Sequence, residues 1–489
     1  MNRAGAPTLV SPELIIILVL AVLFGLYMAW GIGANDVANA MGTSVGSGAL
    51  TLKKAVIFAA VLEFAGAFFA GSSVSQTVRK GIVDLEMFQG DGMSFMLGML
   101  SALLAAGVWL QIASFKGWPV STTHSIVGSI VGFGAVYGGM AAVHWDKVGT
   151  IVASWVVSPL LSGTISFLIF HIILRTIFYK KRPLRAAKKI TPYLVFLVFF
   201  ILTLTMVFKG LKNLKLDLTF ANAMLMAVSI GVIAALISAV LVRRIKEDQT
   251  PEEEANGNPA QAEYLQRCLD KAARNLQRVQ TATTGHAGME LSGLVDEVHR
   301  LKLETKKKYE FHTDSAELKK VERLFVYLQI LSACMVAFAH GANDVANSIG
   351  PMSAVISVAR EGGETIAAKA DVPLWILAVG GIGIVIGLAT WGWRVMETIG
   401  KKITHLTPTR GFSAEFGAAT TVVIASKMGL PISTTHTLVG AVLGVGLARG
   451  ISALNLTMVR NIFVSWIVTI PAGAFLAIVF FYILRFFFV

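Results

Sequence analysis

Three phrases recur in this chain in the same order. GANDVAN (Gly33 to Asn39) returns 308 residues later, at Gly341 to Asn347. WPVSTTHSIVGSIVGFG, from Trp118, returns 312 residues later as LPISTTHTLVGAVLGVG, from Leu430. SWVVSP, from Ser154, is echoed 311 residues later by SWIVTIP, from Ser465. A nearly constant displacement over three phrases is an internal duplication, so the fold must be built from two copies of one unit. The copies run from Leu14 to Arg175 and from Leu324 to Phe488.

Hydropathy says what kind of unit this is. The chain is 55% hydrophobic and 15% charged, with a mean hydropathy of +0.69, far too apolar for a soluble protein of 489 residues. Stretches of about 18 apolar residues, enough to cross a hydrocarbon core of about 30 Å, begin at Leu14, Ala55, Val148, Tyr193, Ala221, Leu324, Leu374 and Phe463. Period-two alternation is absent, which excludes a barrel. The predicted fold is an all-α polytopic membrane protein with two inverted-topology repeats. Each repeat holds a broken helix and a re-entrant hairpin, giving twelve membrane segments when hairpin arms are counted. Residues 1–175 form the first repeat, 176–242 two linking helices, 243–321 a polar helical insert and 322–489 the second repeat. The N-terminus lacks a basic region, short apolar core and cleavage site, so the stretch from Leu14 is expected to stay as the first helix.

The net charge of +13 does not imply nucleic acid. Between Arg243 and Val321 there are 14 basic and 14 acidic residues, so the excess lies in the apolar parts, where it sets topology and can attract anions. Cys268 and Cys334 are the only cysteines, too few for a disulfide framework or a thiolate metal site.

The breakers Gly117-Trp118-Pro119 and Gly429-Leu430-Pro431 place each STTH at a hairpin turn. Five full spans then precede the insert, which lies on the side opposite the N-terminus. Arg175 to Lys189 carries seven basic residues on the insert's side, so that side is cytoplasmic and both termini are outside. The two hairpins consequently open from opposite faces. In the insert, TPEEEANGNPAQ reads as a tether. Tyr264, Leu265, Cys268, Leu269 and Ala272, and then Leu291, Leu294, Val295, Val298 and Leu301, keep helical spacing. The insert is either a small helical pair or a solvated linker.

Asp36 and Asp344 lie within apolar helices, where an ionised carboxylate costs at least about 2.5–3.5 kcal/mol on insertion scales. Two identical copies on inverted repeats would meet at the midplane. Gly31 and Gly33 loosen the first helix, and Asn35 and Asp36 are suited to cap a second half-helix that starts at Val37 and carries Asn39. Asn343, Asp344 and Asn347 repeat the arrangement after Gly341. Freed carbonyls, amide oxygens and carboxylates are hard ligands suited to Na⁺, and half-helix N-termini favour anions. Ser121, Thr122 and Thr123, with Ser433, Thr434 and Thr435, add hydroxyls and first-turn N–H groups, an anion cradle without fixed charge. His124 and His436 are expected to bond locally and hold the turns, with proton transfer as the lesser alternative. Lys116 and Lys427 are expected to snorkel to the interface. Glu63 and Glu415, the other intramembrane acids, either bind a coupling ion or pair with a basic neighbour such as Arg410.

Twin GANDVAN motifs, twin P-[VI]-S-T-T-H hairpins, LTPTRGF at Leu406 to Phe412 and a polar insert between the halves together resemble the inorganic phosphate transporter (PiT) family. The resemblance covers everything but the insert. It implies secondary transport of phosphate by symport with Na⁺ or H⁺, no enzymatic activity, no cofactor beyond the coupling ion, and a homodimer in a cell membrane. Phosphate contacts carry over to Asn35, Asp36, Ser121, Thr122, Thr123, Asn343, Asp344, Ser433, Thr434 and Thr435. Coupling-ion contacts carry over to Asp36, Asn39, Glu63, Asp344, Asn347 and Glu415, with Asp36, Asn39, Asp344 and Asn347 as the Na⁺ ligands. Lys427 stands where relatives have a neutral residue.

Electrostatics makes coupling an expectation, because phosphate and two carboxylates cannot share a low-dielectric site without cations. Some relatives carry sulfate, but protonated phosphate can donate a hydrogen bond to a carboxylate and sulfate cannot, which favours phosphate. A cation channel would not need paired hairpins of opposite orientation. A membrane hydrolase would need a nucleophile or metal cluster, and neither HExxH, GxSxG nor a Cys/His ligand set occurs.

Overall fold

The computed structural model describes residues 11–71, 82–180, 182–207, 218–245, 259–281, 286–313, 316–363, 366, 372–402, 406–428, 432–450 and 456–489. The described residues are almost entirely helical, with one isolated bridge between Val83 and Val143 in place of strands. In chain order the helices are α1 (Pro12–Asn35), α2 (Ala38–Gly46), α3 (Leu52–Ala70), α4 (Gly92–Phe115), α5 (Thr122–Gly138), α6 (Trp145–Ile173), α7 (Pro183–Thr205) and α8 (Phe220–Arg243). They continue with α9 (Pro259–Thr281), α10 (His286–Thr313), α11 (Ala316–Arg360), α12 (Leu374–Lys402), α13 (Pro408–Lys427), α14 (Thr434–Arg449) and α15 (Leu456–Phe488).

Among the described residues, eight helical segments are long and apolar enough to cross a membrane. Seven match the stretches expected from hydropathy, and the eighth differs. Leu52–Ala70 carries Lys53, Lys54 and Glu63 within 19 residues and is not one of them, whereas Gly92–Phe115, expected as a hairpin arm, is. Burial separates inner from outer helices. The apolar windows of α4 and α11 are 78% and 72% buried, against 28% for that of α15, whose Val464, Ile467 and Phe475 remain exposed and suited to lipid.

The packing divides into two units, Met1–Phe170 with Leu197–Gly231 and Val326–Val489, and His171–Phe196 with Val232–Phe325. The second contains α9 and α10, which pack together and share the Lys302–Asp270 ion pair at 2.6 Å. The expected tether lies mostly outside the described residues; its last residues, from Pro259, open α9.

In the first unit the two copies interlock. α12 packs on α1 and α5 on α15. Glycines mark where backbones touch: a methyl at Gly33 would lie 1.9 Å from the Ile384 carbonyl oxygen, and one at Gly387 would lie 1.9 Å from that of Trp30. The displaced counterparts do the same between α3 and α11, where a methyl at Gly66 would lie 2.1 Å from the Phe338 oxygen and one at Gly341 2.3 Å from the Glu63 oxygen. Gly440 and Gly444 of α14 likewise meet Pro159 and Gly163 of α6. Each copy thus contributes helices that lie against the other copy as well as against its own.

Candidate functional site

The first GANDVAN motif turns the chain but does not break it open. α1 ends at Asn35; Asp36 follows as its C-cap, with its N–H donating to the Ile32 carbonyl at 2.8 Å, and Val37 precedes α2 with no side-chain cap. Asn35 and Asp36 are therefore not the N-caps expected from the sequence. Both Asp36 and Val37 keep right-handed helical angles, so the chain passes from α1 into α2 through a single helical turn. Asn35 instead ties the motif to the first hairpin, donating to Ser114 Oγ at 3.1 Å and the Trp118 carbonyl at 3.0 Å while its Oδ1 accepts from Val120 N–H at 3.2 Å.

The second motif departs further from expectation, because α11 runs unbroken from Ala316 to Arg360 straight through it. Gly341 is occupied by the backbone of Glu63, a packing role that keeps the helix intact. Asp344 finds side-chain partners and so needs no opened backbone.

The hairpin tips are built from local rules. α4 ends in a Schellman cap: Trp118 N–H donates to the Ala113 carbonyl, Gly117 N–H to that of Ser114, and Gly117 takes φ +66°, which glycine alone adopts without strain. Pro119 then prevents continuation. Ser121 caps α5 by accepting from His124 N–H at 3.1 Å, and Ser433 caps α14 by accepting from His436 N–H at 3.2 Å. The second breaker, Gly429 to Pro431, and the Lys427 side chain lie outside the described residues. Lys116 is exposed, with its ammonium 4.7 Å from the Trp118 ring centre.

The histidine rings do not hold these turns, contrary to expectation, since the serines already do. They meet across the tips, 4.2 Å apart, His124 against Trp155 and His436 against Trp466, with His436 Nδ1 3.2 Å from the Trp155 carbonyl. Other contacts between the tips are reciprocal. Thr123 Oγ1 donates to the Ile432 carbonyl and Thr435 Oγ1 lies at the same 3.2 Å from that of Val120. Asn39 donates to Thr435 Oγ1 at 2.9 Å, and Asn347 donates to Thr122 and Thr123 Oγ1, each at 3.2 Å. The last asparagine of each motif, Asn39 or Asn347, therefore reaches the hairpin of the other copy.

The two aspartates come together. Single ligand atoms of Asp36, His340 and Asp344 all lie within 4.8 Å of one another, fully buried. Asp36 accepts from Thr122 Oγ1 at 2.6 Å, Thr435 Oγ1 at 2.5 Å and Asn39 Nδ2. Asp344 accepts from Thr434 Oγ1 at 2.8 Å and Asn343 Nδ2 at 2.6 Å. The Oδ1 atoms of Asn39 and Asn343 and Oε1 of Glu63 are buried with no hydrogen-bond partner. Hard oxygens held in this way suit a hard cation such as Na⁺ better than a softer metal.

Glu63 finds a basic partner, but it is His340: Nδ1 lies 2.8 Å from Glu63 Oε2, and Nε2 lies 3.0 Å from Asp344 Oδ2. Glu415 is fully buried in a shell of neutral donors. Thr43 and Ser44 donate to Oε1 at 2.6 and 2.7 Å, Gln329 Nε2 to Oε1 at 3.2 Å, and Ser332 to Oε2 at 2.5 Å. Sequence reasoning missed His340 and the Glu415 shell. One signal for His340 was available: it sits 308 residues after Ile32, a polar departure beside an otherwise identical motif. The donor shell has no such signal, since it brings residues of α2 and α11 to an acid in α13.

A family model described as the phosphate transporter family matches residues 32–477. Inorganic phosphate transporter 2-1, chloroplastic, of Arabidopsis thaliana is 45% identical over 464 residues, covering 94% of this chain and 70% of that protein. A solved structure titled the sodium-dependent phosphate transporter superposes with a TM-score of 0.77 at 37% identity, covering 96% of this chain and 99% of the other.

Proposed function

The chain belongs to the phosphate transporter family, and we propose that it imports inorganic phosphate by symport with Na⁺ through alternating access. One observation carries the reading: Asp36 and Asp344 lie together, each within hydrogen-bonding reach of hairpin-tip threonines, in a cluster with no exposed member. The hydroxyls and first-turn N–H groups of α5 and α14 hold the anion, and the carboxylates with Asn39 and Asn347 hold the cation. Glu415 is an additional coupling-ion position. Na⁺ is preferred to H⁺ because the donors are hard oxygens and because the solved relative is titled sodium-dependent. Since the site is buried, access requires each hairpin to withdraw in turn. The insert is cytoplasmic and both termini face outward, as the basic residues from Arg175 to Lys189 favour, in a bacterial inner membrane or a eukaryotic plasma membrane, and the working form is a homodimer, as the resemblance implies.

Labelled phosphate uptake into proteoliposomes, with Na⁺ and pH gradients imposed separately, tests this. Uptake should follow the Na⁺ gradient and resist competition by excess sulfate. Full-rate uptake without Na⁺ would exclude sodium coupling, and equal competition by sulfate would reassign the substrate.

Thr435 supplies a smaller-scale check. Valine removes the hydroxyl bonded to both Asp36 and Asn39. A hydrogen bond to a charged group is worth about 1.5–3 kcal/mol, so the Na⁺ concentration for half-maximal uptake should rise roughly tenfold or more. Thr435→Ser, which keeps the hydroxyl, should stay near wild type.

A further inference from the structure

The two copies present equivalent backbone contacts with very different side chains. Where α1 meets α12, Gly33 faces Ile384, and the residue before Gly33 is Ile32. Where α11 meets α3, Gly341 faces Glu63, and the residue before Gly341 is His340. All four side chains are at most 1% exposed. Two isoleucines satisfy this contact in one copy, so packing does not require an acid and a histidine in the other.

His340 stands between two acids. Each ring nitrogen lies within 3.0 Å of a carboxylate oxygen, one on Glu63 and one on Asp344. Nδ1 shares a hydrogen bond with Glu63 Oε2, and Nε2 faces Asp344 Oδ2 at ion-pairing distance with no hydrogen bond of its own. With the ring protonated the three groups together carry one negative charge rather than two. Asp36 has no equivalent neighbour among its hydrogen-bond partners, which are Thr122, Thr435 and Asn39.

We propose that His340 is a built-in counter-cation that replaces one mobile cation at Asp344, which makes the twin carboxylates unequal. Asp36 is then the carboxylate that receives the coupling cation, and Asp344 is held by the protein. His340 acts through Asp344 and Glu63 and is a positioning residue. This inference rests on the sodium-symport reading above and adds an asymmetry that the identical motifs do not suggest.

The test uses full-length protein in proteoliposomes, with phosphate uptake and transferred charge measured on the same preparation. Wild-type uptake driven by a Na⁺ gradient checks the reading itself. In His340→Gln the two acids lose their shared counter-cation. The half-maximal Na⁺ concentration should rise at least tenfold, and one more positive charge should move per phosphate. In the Glu63→Gln/His340→Gln double variant one acid is gone as well, so the charge ratio should return to wild type. A role confined to packing would not restore it. Sodium-driven wild-type uptake, together with an unchanged ratio in His340→Gln or no return in the double variant, overturns the proposal. Should His340→Gln fail to elute as a single species, Glu63→Gln alone decides. It leaves His340 facing Asp344 only, so its ratio should not exceed that of wild type, and a higher ratio overturns the proposal.

Discussion

Asparagine in place of Asp36 is expected to cut sodium-driven phosphate uptake below about a hundredth of wild type, more than about 2.7 kcal/mol. The carboxylate accepts from three donors, Thr122 Oγ1, Thr435 Oγ1 and Asn39 Nδ2. An amide offers one oxygen and an NH₂ group, so at least one of those donors would face another donor. The negative charge that attracts a cation is lost at the same time. Folding should survive, because burying an ionised carboxylate is itself unfavourable and its removal offsets the broken hydrogen bonds. A ligand that binds only the folded state raises stability by RT ln(1 + [L]/Kd). Wild-type protein in detergent should therefore melt higher as Na⁺ and phosphate are added, whereas Asp36→Asn should show no rise. Retention of a tenth of wild-type uptake, or of the Na⁺-dependent rise, would show that Asp36 is not the cation's carboxylate.

The parts of this site that were legible in the sequence are those fixed by short-range chemistry. Ser121 and Ser433 cap helices because a hydroxyl just before an apolar run has little else to do, and Gly117-Trp118-Pro119 ends a helix wherever it occurs. The repeated displacement also led correctly to Asp36 and Asp344 as neighbours. What could not be read was decided by packing between distant helices. A Gly-Ala-Asn-Asp run reads as a helix interruption, yet the copy in α11 stays helical because Gly341 admits the backbone of Glu63 and Asp344 is satisfied from α14 and by His340. Glu63 was identified as an intramembrane acid open to a coupling ion or a basic neighbour, but His340 was not singled out as that neighbour. The pairing of α3 with α11 is a tertiary fact with no local trace. The same holds for Glu415, whose shell includes Thr43, 372 residues away.

The glycines at the crossing of α1 and α12 should be nearly as sensitive as Asp36, through folding rather than chemistry. A Cβ at position 33 would meet the Ile384 oxygen at 1.9 Å and the Leu388 nitrogen at 2.8 Å; one at 387 would meet the Trp30 oxygen at 1.9 Å and the Ala34 nitrogen at 2.8 Å. These obstacles are helix backbone, which cannot rotate aside as a side chain can. The helices must separate, and overpacking of a close-packed interior costs about 1–3 kcal/mol, occasionally more. Separation would also move Asn35 and Asp36, two and three residues beyond Gly33, and so loosen the ties to Ser114 and Thr122. Gly33→Ala should thus lower the melting temperature of the purified protein and abolish uptake even where the chain is still folded. Gly149→Ala supplies the comparison. That residue lies in α6 with nothing within 4 Å, where alanine should be neutral or gain about 0.5–1 kcal/mol from helix preference. If the two variants melted and transported alike, the close approach of α1 and α12 would not be what positions Asp36 against the hairpins.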